Sequence, residues 1–336
     1  REAMKKALLL AIALAALVAA SEALILARVR IDPVRLAAFL TCLALTLTAF
    51  VGLTISGVVK QLRHLALQSP RWAVGLPFSL LAPYLILAFG TGTFSIVALM
   101  KLVACIVVPT LLLLPDRLHR AERAGWRDFA AMLALALPVS AGWLGGIWVW
   151  PPDAVLTGGY ELYFFRPFFC VCVGAYGFLV IRNLDGVGYR LGFRKADVID
   201  GLANFAAFVL PAIPLGYALG FIAFRPHSVS LGEFAFQLFG IYLTIAIPEE
   251  LLFRGILQNF LARSLRGPRH GLYGLLVASM IFGAAHLHHA PVPNWRYAIM
   301  ATLAGIFYGN AYRTRQRLSS PALTHALVDT VWHFWF

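Results

Sequence analysis

Long apolar runs constrain this chain more than any other feature of its sequence. Charged and turn-forming residues fall between the runs, and most runs are long enough to cross the roughly 30 Å hydrocarbon core of a bilayer. Of the 336 residues, 60% are hydrophobic and 13% are charged, whereas about 25% of a soluble domain is charged. The sequence therefore predicts an all-α polytopic membrane protein, a bundle of about 9 to 11 transmembrane helices.

The predicted spans share an apolar composition and are separated by short polar connectors. They cover residues 7–27, 36–59, 73–89, 94–114, 129–150, 168–181, 202–224, 234–247, 272–286, 297–312 and 318–336. The first run follows Lys5 and Lys6 and has no clear small-residue cleavage site behind it. It is therefore interpreted as a retained signal anchor.

The distribution of basic residues predicts the orientation of the chain. If the N-terminus is cytoplasmic, strict alternation places a series of basic connectors in the cytoplasm, namely residues 60–71, 117–127, 182–195, 263–270 and 313–317. The connector at residues 28–35 is the one exception. We expect an integral protein of the bacterial inner (plasma) membrane with a cytoplasmic N-terminus.

The net charge of +13 comes largely from these connectors. Basic residues beside membrane spans contact anionic lipid headgroups. The expected partners are therefore membrane lipids and no nucleic acid, while the pattern leaves the oligomeric state open.

Polar residues suited to catalysis concentrate near the C-terminus of the chain. This predicts an N-terminal transmembrane region of unknown role at residues 1–230 and a core at residues 231–336 formed by the last four helices. Within the core, Glu250 and Arg254 are four residues apart and can pair on one helix face. Glu249 is turned about 100° away from that face and is left to contact something else.

Two later helices carry further ionisable residues. His286 follows Phe282 by one helical turn, and His325 precedes Asp329 by one turn. With a rise of about 1.5 Å per residue, Glu249 and His286 lie roughly 20 Å from the cytoplasmic ends of their helices, and the other two roughly 10 to 17 Å. Each alone has an ordinary explanation as an interfacial or structural group. Ionisable residues on three helices at overlapping depth instead indicate one interior cavity.

These residues form three motifs in order on successive apolar helices: Glu249-Glu250-x-x-x-Arg254, Phe282-x-x-x-His286 and His325-x-x-x-Asp329. Together they resemble the motifs of the CPBP family, the CAAX prenyl protease and bacteriocin-processing group of intramembrane proteases. The resemblance covers about the last hundred residues, and the family's third motif ends in Asn or Asp. It implies an intramembrane endopeptidase with a peptide or lipidated-protein substrate.

Peptide hydrolysis requires an activated water and stabilisation of the oxyanion that forms. Glu249 and His286 are suited to polarise the water, and His325 and Asp329 can serve the oxyanion. The resemblance implies the same division, with the Glu250 ion pair and Phe282 in support.

Three alternatives stay open at this level. The residues Glu249, His286, His325 and Asp329 offer nitrogen and oxygen ligands for one divalent metal, most plausibly zinc, which would make the chain a metalloprotease. The same buried groups can form the pathway of a proton- or ion-coupled transporter. A non-catalytic membrane protein that confers bacteriocin immunity could also retain the motifs.

Overall fold

The computed structural model describes residues 32–150, 160–265 and 268–336, so the predicted span at residues 7–27 lies outside the described residues. The regular secondary structure of the described chain is helical apart from two short antiparallel strands, β1 (Val149–Trp150) and β2 (Tyr160–Glu161). The helices are α1 (Pro33–Gly52), α2 (Ser56–Gln68), α3 (Pro70–Thr91), α4 (Ile96–Asp116), α5 (Trp126–Ser140), α6 (Phe165–Ile181), α7 (Lys195–Ala218), α8 (Leu231–Ser264), α9 (His270–Ala284), α10 (Trp295–Arg315) and α11 (Ser319–Trp335).

The helices confirm the predicted class, an all-α polytopic membrane protein. Five of them are long and apolar enough to cross a membrane, and these are α1, α3, α4, α7 and α8. Helices α6 and α9 are shorter but also apolar. The chain is therefore an integral membrane protein.

Several predicted spans have different bounds in the structure. The predicted run 36–59 is divided, because α1 ends at Gly52 and the amphipathic α2 begins at Ser56. The run predicted to reach Trp150 is helical only to Ser140, since Gly142 and Gly146 adopt positive φ angles of 65° and 69°. Such angles are open to glycine and end the helix before β1.

The described chain divides into two compact units. One contains the residues up to Arg120 together with Gly125–Asn183, and the other contains Ala121–Ala124 and Leu184–Phe336. The second unit begins well before the division predicted at residue 230, because α7 packs against α10 and α11. The predicted division concerns function and stays a prediction.

The core of the second unit forms where α7, α9 and α10 meet. Phe208 of α7, Phe282 of α9 and Met300 and Tyr308 of α10 are buried there together. In a membrane such a core is stabilised by close packing between the helices, because the surrounding lipid is as apolar as the buried side chains. Phe282 and Tyr308 also reach α8 and α11, so the same packing fixes the candidate site.

Candidate active site

Helix α8 carries the first motif in its middle, whereas the sequence places it at the end of an apolar run. The helix is continuous for 34 residues although Pro248 lies inside it. Proline cannot donate a backbone hydrogen bond and its ring crowds the preceding turn. The chain accommodates it with wider π-helical turns at Tyr242–Ala246 and Leu251–Gln258 on either side of Ile247–Glu250. Such π segments occur frequently at functional sites.

Glu250 joins two other charged or polar side chains at the centre of the unit. Its Oε1 accepts a hydrogen bond from Arg254, at 3.1 Å, and also lies 2.8 Å from Nδ1 of His325. The side chains of Glu250, Arg254 and His325 are 0%, 1% and 5% exposed. The expected ion pair within α8 is therefore present, and its carboxylate also binds the histidine of the third motif on α11.

Arg254 is enclosed by aromatic rings and a backbone carbonyl. Its guanidinium carbon lies 4.3 Å from the ring centre of Phe282 and 5.2 Å from that of Tyr308. One guanidinium nitrogen donates to the carbonyl of Gly305 on α10, at 3.3 Å. A cation over aromatic faces is stabilised even where water is excluded. These contacts compensate the charge and tie α8 to α9 and α10.

The second nitrogen of His325 faces the remaining carboxylates. Its Nε2 lies 3.4 Å from Oδ2 of Asp329 and 3.9 Å from Oε2 of Glu249. The Glu249 side chain keeps 35% of its surface accessible, yet its Oε2 is buried without a hydrogen-bond partner. A buried acceptor with no protein partner is a group that ordered water or substrate can satisfy.

His286 lies beyond the end of α9, and its ring packs against the same aromatic cluster. Its Nδ1 donates to the carbonyl of Phe282, at 2.7 Å, which leaves Nε2 to interact elsewhere. The ring lies 4.7 Å from the centre of Phe282, and Phe282 lies 6.0 Å from His325. In the neighbouring loop, burial and then the charge of His288 lower the pKa of His289. A neutral His289 ring then packs 5.7 Å from His286.

The structure thus brings five of the sequence-predicted site residues into direct contact: Glu249, Glu250, Arg254, His325 and Asp329. Phe282 contacts Arg254 and links this group to His286. The arrangement combines a partly accessible carboxylate, an oriented histidine and a second histidine with one available nitrogen.

The arrangement does not favour the zinc alternative. Among residues 32–150, 160–265 and 268–336, no group of three or more histidine, cysteine, aspartate or glutamate side chains is placed to hold a metal ion. Both nitrogens of His325 already face carboxylates of the protein. Glu249, His286, His325 and Asp329 do not form such a group.

Two tyrosines of α10 belong to the site but were missed by the sequence motifs. Tyr308 stacks on His325 with ring centres 4.6 Å apart and planes inclined by 14°. Tyr297 lies 4.6 Å from the ring centre of His286. The two tyrosines are eleven residues apart, about three helical turns, so they share one face of an apolar helix. That spacing is the sequence signal that could have assigned both tyrosines to the site.

The part of the chain that contains the site, residues 230–331, matches a known protein family. Residues 230–331 match the family model for type II CAAX prenyl endopeptidase, Rce1-like, and all three motifs lie in the matched region. The resemblance predicted from the motifs is confirmed for these residues.

Part of the chain is also similar to a curated protein. The uncharacterized protein YpbD of Bacillus subtilis (strain 168) is 34% identical over 93 residues, which are 27% of this chain and 42% of that protein. The chain therefore matches less than half of the relative's length. No solved structure gives a significant match.

Proposed function

We propose, from the match of residues 230–331 to the type II CAAX prenyl endopeptidase family, that the chain is an intramembrane endopeptidase. The observation that carries the proposal is the convergence of Glu249 and Asp329 on Nε2 of His325, while Glu250 holds the opposite nitrogen. Ionisable groups at this depth are costly, and such a cluster is typical of a functional site.

Glu249 is the proposed general base. Its Oε2 has no hydrogen-bond partner within the protein, and the partly accessible side chain can receive a water molecule. A carboxylate removed from bulk water is a better base than one in solution. His286 would hold the same water through Nε2, because its Nδ1 donates to the carbonyl of Phe282.

His325 and Asp329 are the proposed oxyanion side of the site. The hydrogen bond from Nδ1 of His325 to Glu250 fixes the ring, and stacking on Tyr308 fixes its plane. A preorganised donor aimed at developing negative charge lowers the barrier more effectively than one that must reorient. Because Nδ1 donates to Glu250, the ring must carry a second proton on Nε2, as an imidazolium, for Nε2 to donate to the tetrahedral intermediate. The Asp329 carboxylate, 3.4 Å from Nε2, balances that positive charge.

The proposed substrate is a membrane-associated peptide, including a prenylated or otherwise lipidated protein. The family match supports this class through the prenylated substrates in the family's name. Such a substrate can reach the site laterally through the bilayer or from the cytoplasm. We place the enzyme in the bacterial inner membrane with its N-terminus in the cytoplasm, on the distribution of basic connectors.

The decisive experiment compares Glu249→Gln with Glu233→Gln in the purified full chain. Both glutamates lie on α8, but Glu233 caps the start of the helix through Ser230, where glutamine can also serve. Cleavage of a farnesylated fluorogenic peptide ending in a CAAX sequence is measured in proteoliposomes. We expect Glu249→Gln to lower cleavage by at least about 100-fold, the lower range for a general base, and Glu233→Gln to retain it.

A second readout removes the dependence on one chosen peptide. Membranes from cells expressing the wild type, Glu249→Gln or Glu233→Gln are compared by sequencing the new peptide termini they contain. Termini that appear with the wild type and with Glu233→Gln but not with Glu249→Gln identify substrates. Equal termini in all three samples would refute the protease proposal.

A zinc chelator added to the peptide assay should leave the rate unchanged, since the described residues form no metal-ligand group.

A further inference from the structure

The N-terminal unit contains an apolar groove that the proposed protease site does not use. It has a volume of about 340 Å³ and runs between α4 and α5. Val108 of α4 and Ala134 and Leu137 of α5 line it together with Trp143. Because Val108, Leu137 and Trp143 are 46%, 57% and 41% exposed, the groove opens to the outside of the protein.

A basic side chain lies beside Trp143 of this groove. The ammonium of Lys101 is 5.9 Å from the centre of the Trp143 ring. Within the part of the chain that the structure describes, no carboxylate forms an ion pair with Lys101. The groove therefore joins an apolar trough to one positive charge that the described residues leave uncompensated.

The position of Lys101 along α4 fits the headgroup level of a bilayer. The helix begins at Ile96, so Lys101 lies about 7.5 Å along it, within reach of the interface for a long flexible side chain. Trp143 follows the end of α5, and tryptophan is enriched at the same level. The trough then extends from the interface into the hydrocarbon region.

We propose that this groove binds one anionic phospholipid, with an acyl chain against Val108 and Leu137 and the phosphate beside Lys101. The groove has the size of a small ligand site, which starts at about 300 Å³. Charge complementarity distinguishes this occupant from a zwitterionic lipid, because Lys101 supplies a cation that a net negative headgroup can neutralise. The distribution of basic connectors assigns this end of α4 to the outer leaflet.

The test uses the full chain in vesicles of equal phosphatidylglycerol and phosphatidylcholine. The protein is extracted gently and the lipids that remain bound are counted by native mass spectrometry. Lys101→Gln should lower the ratio of retained phosphatidylglycerol to phosphatidylcholine about fivefold, as expected for one lysine near an anionic surface. Arg225→Gln is the matched control, because Arg225 is exposed in the segment between α7 and α8, outside the basic connectors, and should leave the ratio unchanged.

A second variant tests the trough itself. Ala134→Trp fills the groove and should reduce retention of both lipids without changing the unfolding temperature, and Ala104→Leu replaces it if the first variant does not fold. An unchanged ratio in Lys101→Gln, or wild-type lipid retention in the filling variant that folds, would overturn the proposal. Absence of bound lipid combined with destabilisation by either filling variant would instead show that protein occupies the groove, as residues 7–27 or as a second copy.

Discussion

Replacing Arg254 by methionine tests whether the buried ion pair of α8 holds the site together. The change leaves Glu250, 0% exposed, without the cation that lies 3.1 Å away. Its Oε2 already has no hydrogen-bond partner, so the hydrogen bond from Nδ1 of His325 to Oε1 is the one side-chain contact that remains to the carboxylate among the described residues. Removing one member of a buried pair costs about 3–5 kcal/mol. This corresponds to a decrease of about 10²- to 10⁴-fold in the ratio of folded to unfolded protein.

The measurement is reversible unfolding in mixed micelles, followed by tryptophan fluorescence. Arg315→Met is the matched control: Arg315 pairs with Asp200 at 2.6 Å, but its side chain is 44% exposed. Water therefore solvates and screens this pair, and stability should change little. The double variant Glu250→Gln, Arg254→Met removes the uncompensated charge. Glutamine still accepts a hydrogen bond from His325, so at least half of the lost stability should return.

Two outcomes would contradict this reasoning. If Arg254→Met were no more destabilising than Arg315→Met, the charge of Glu250 would be compensated by groups other than Arg254. If the double variant were as unstable as the single one, the loss would come from the packing of the guanidinium between aromatic rings.

The remaining predictions concern the helix contacts that frame the site. Gly283→Ala should lower the unfolding temperature and the cleavage rate together, because its added Cβ would overlap Oγ1 of Thr302 on α10. Gly240→Ala is the control: its added Cβ meets no atom within 4 Å, so the change should be neutral or stabilising. Tyr308→Phe should keep the ring stacked on His325 and retain near-wild-type stability. Tyr308→Leu should lower the free energy of unfolding by about 0.5–1.5 kcal/mol and should also lower kcat. Equal effects of Phe and Leu would show that the hydroxyl, not the ring, matters.

The order of the three motifs and the class of fold were predictable because both depend on local features. An apolar run long enough to cross the bilayer predicts a helix, since every backbone polar group of a span in lipid must be hydrogen-bonded within its own helix. The pairing of Glu250 with Arg254 likewise follows from helical spacing, and it survives the π-helical turns around Pro248. Helix ends were less predictable, as the early end of α5 at Ser140 shows.

The sequence by itself determined a membrane-spanning helical chain with a group of ionisable residues in its last hundred residues. It could do so because hydrophobicity and helical spacing are local properties, which depend only on the identity and order of the residues. Only the tertiary structure decided that Glu250 serves His325 as well as Arg254. It also decided that Tyr308 belongs to the site. Both contacts join side chains on different helices, and their geometry depends on how α8, α10 and α11 pack.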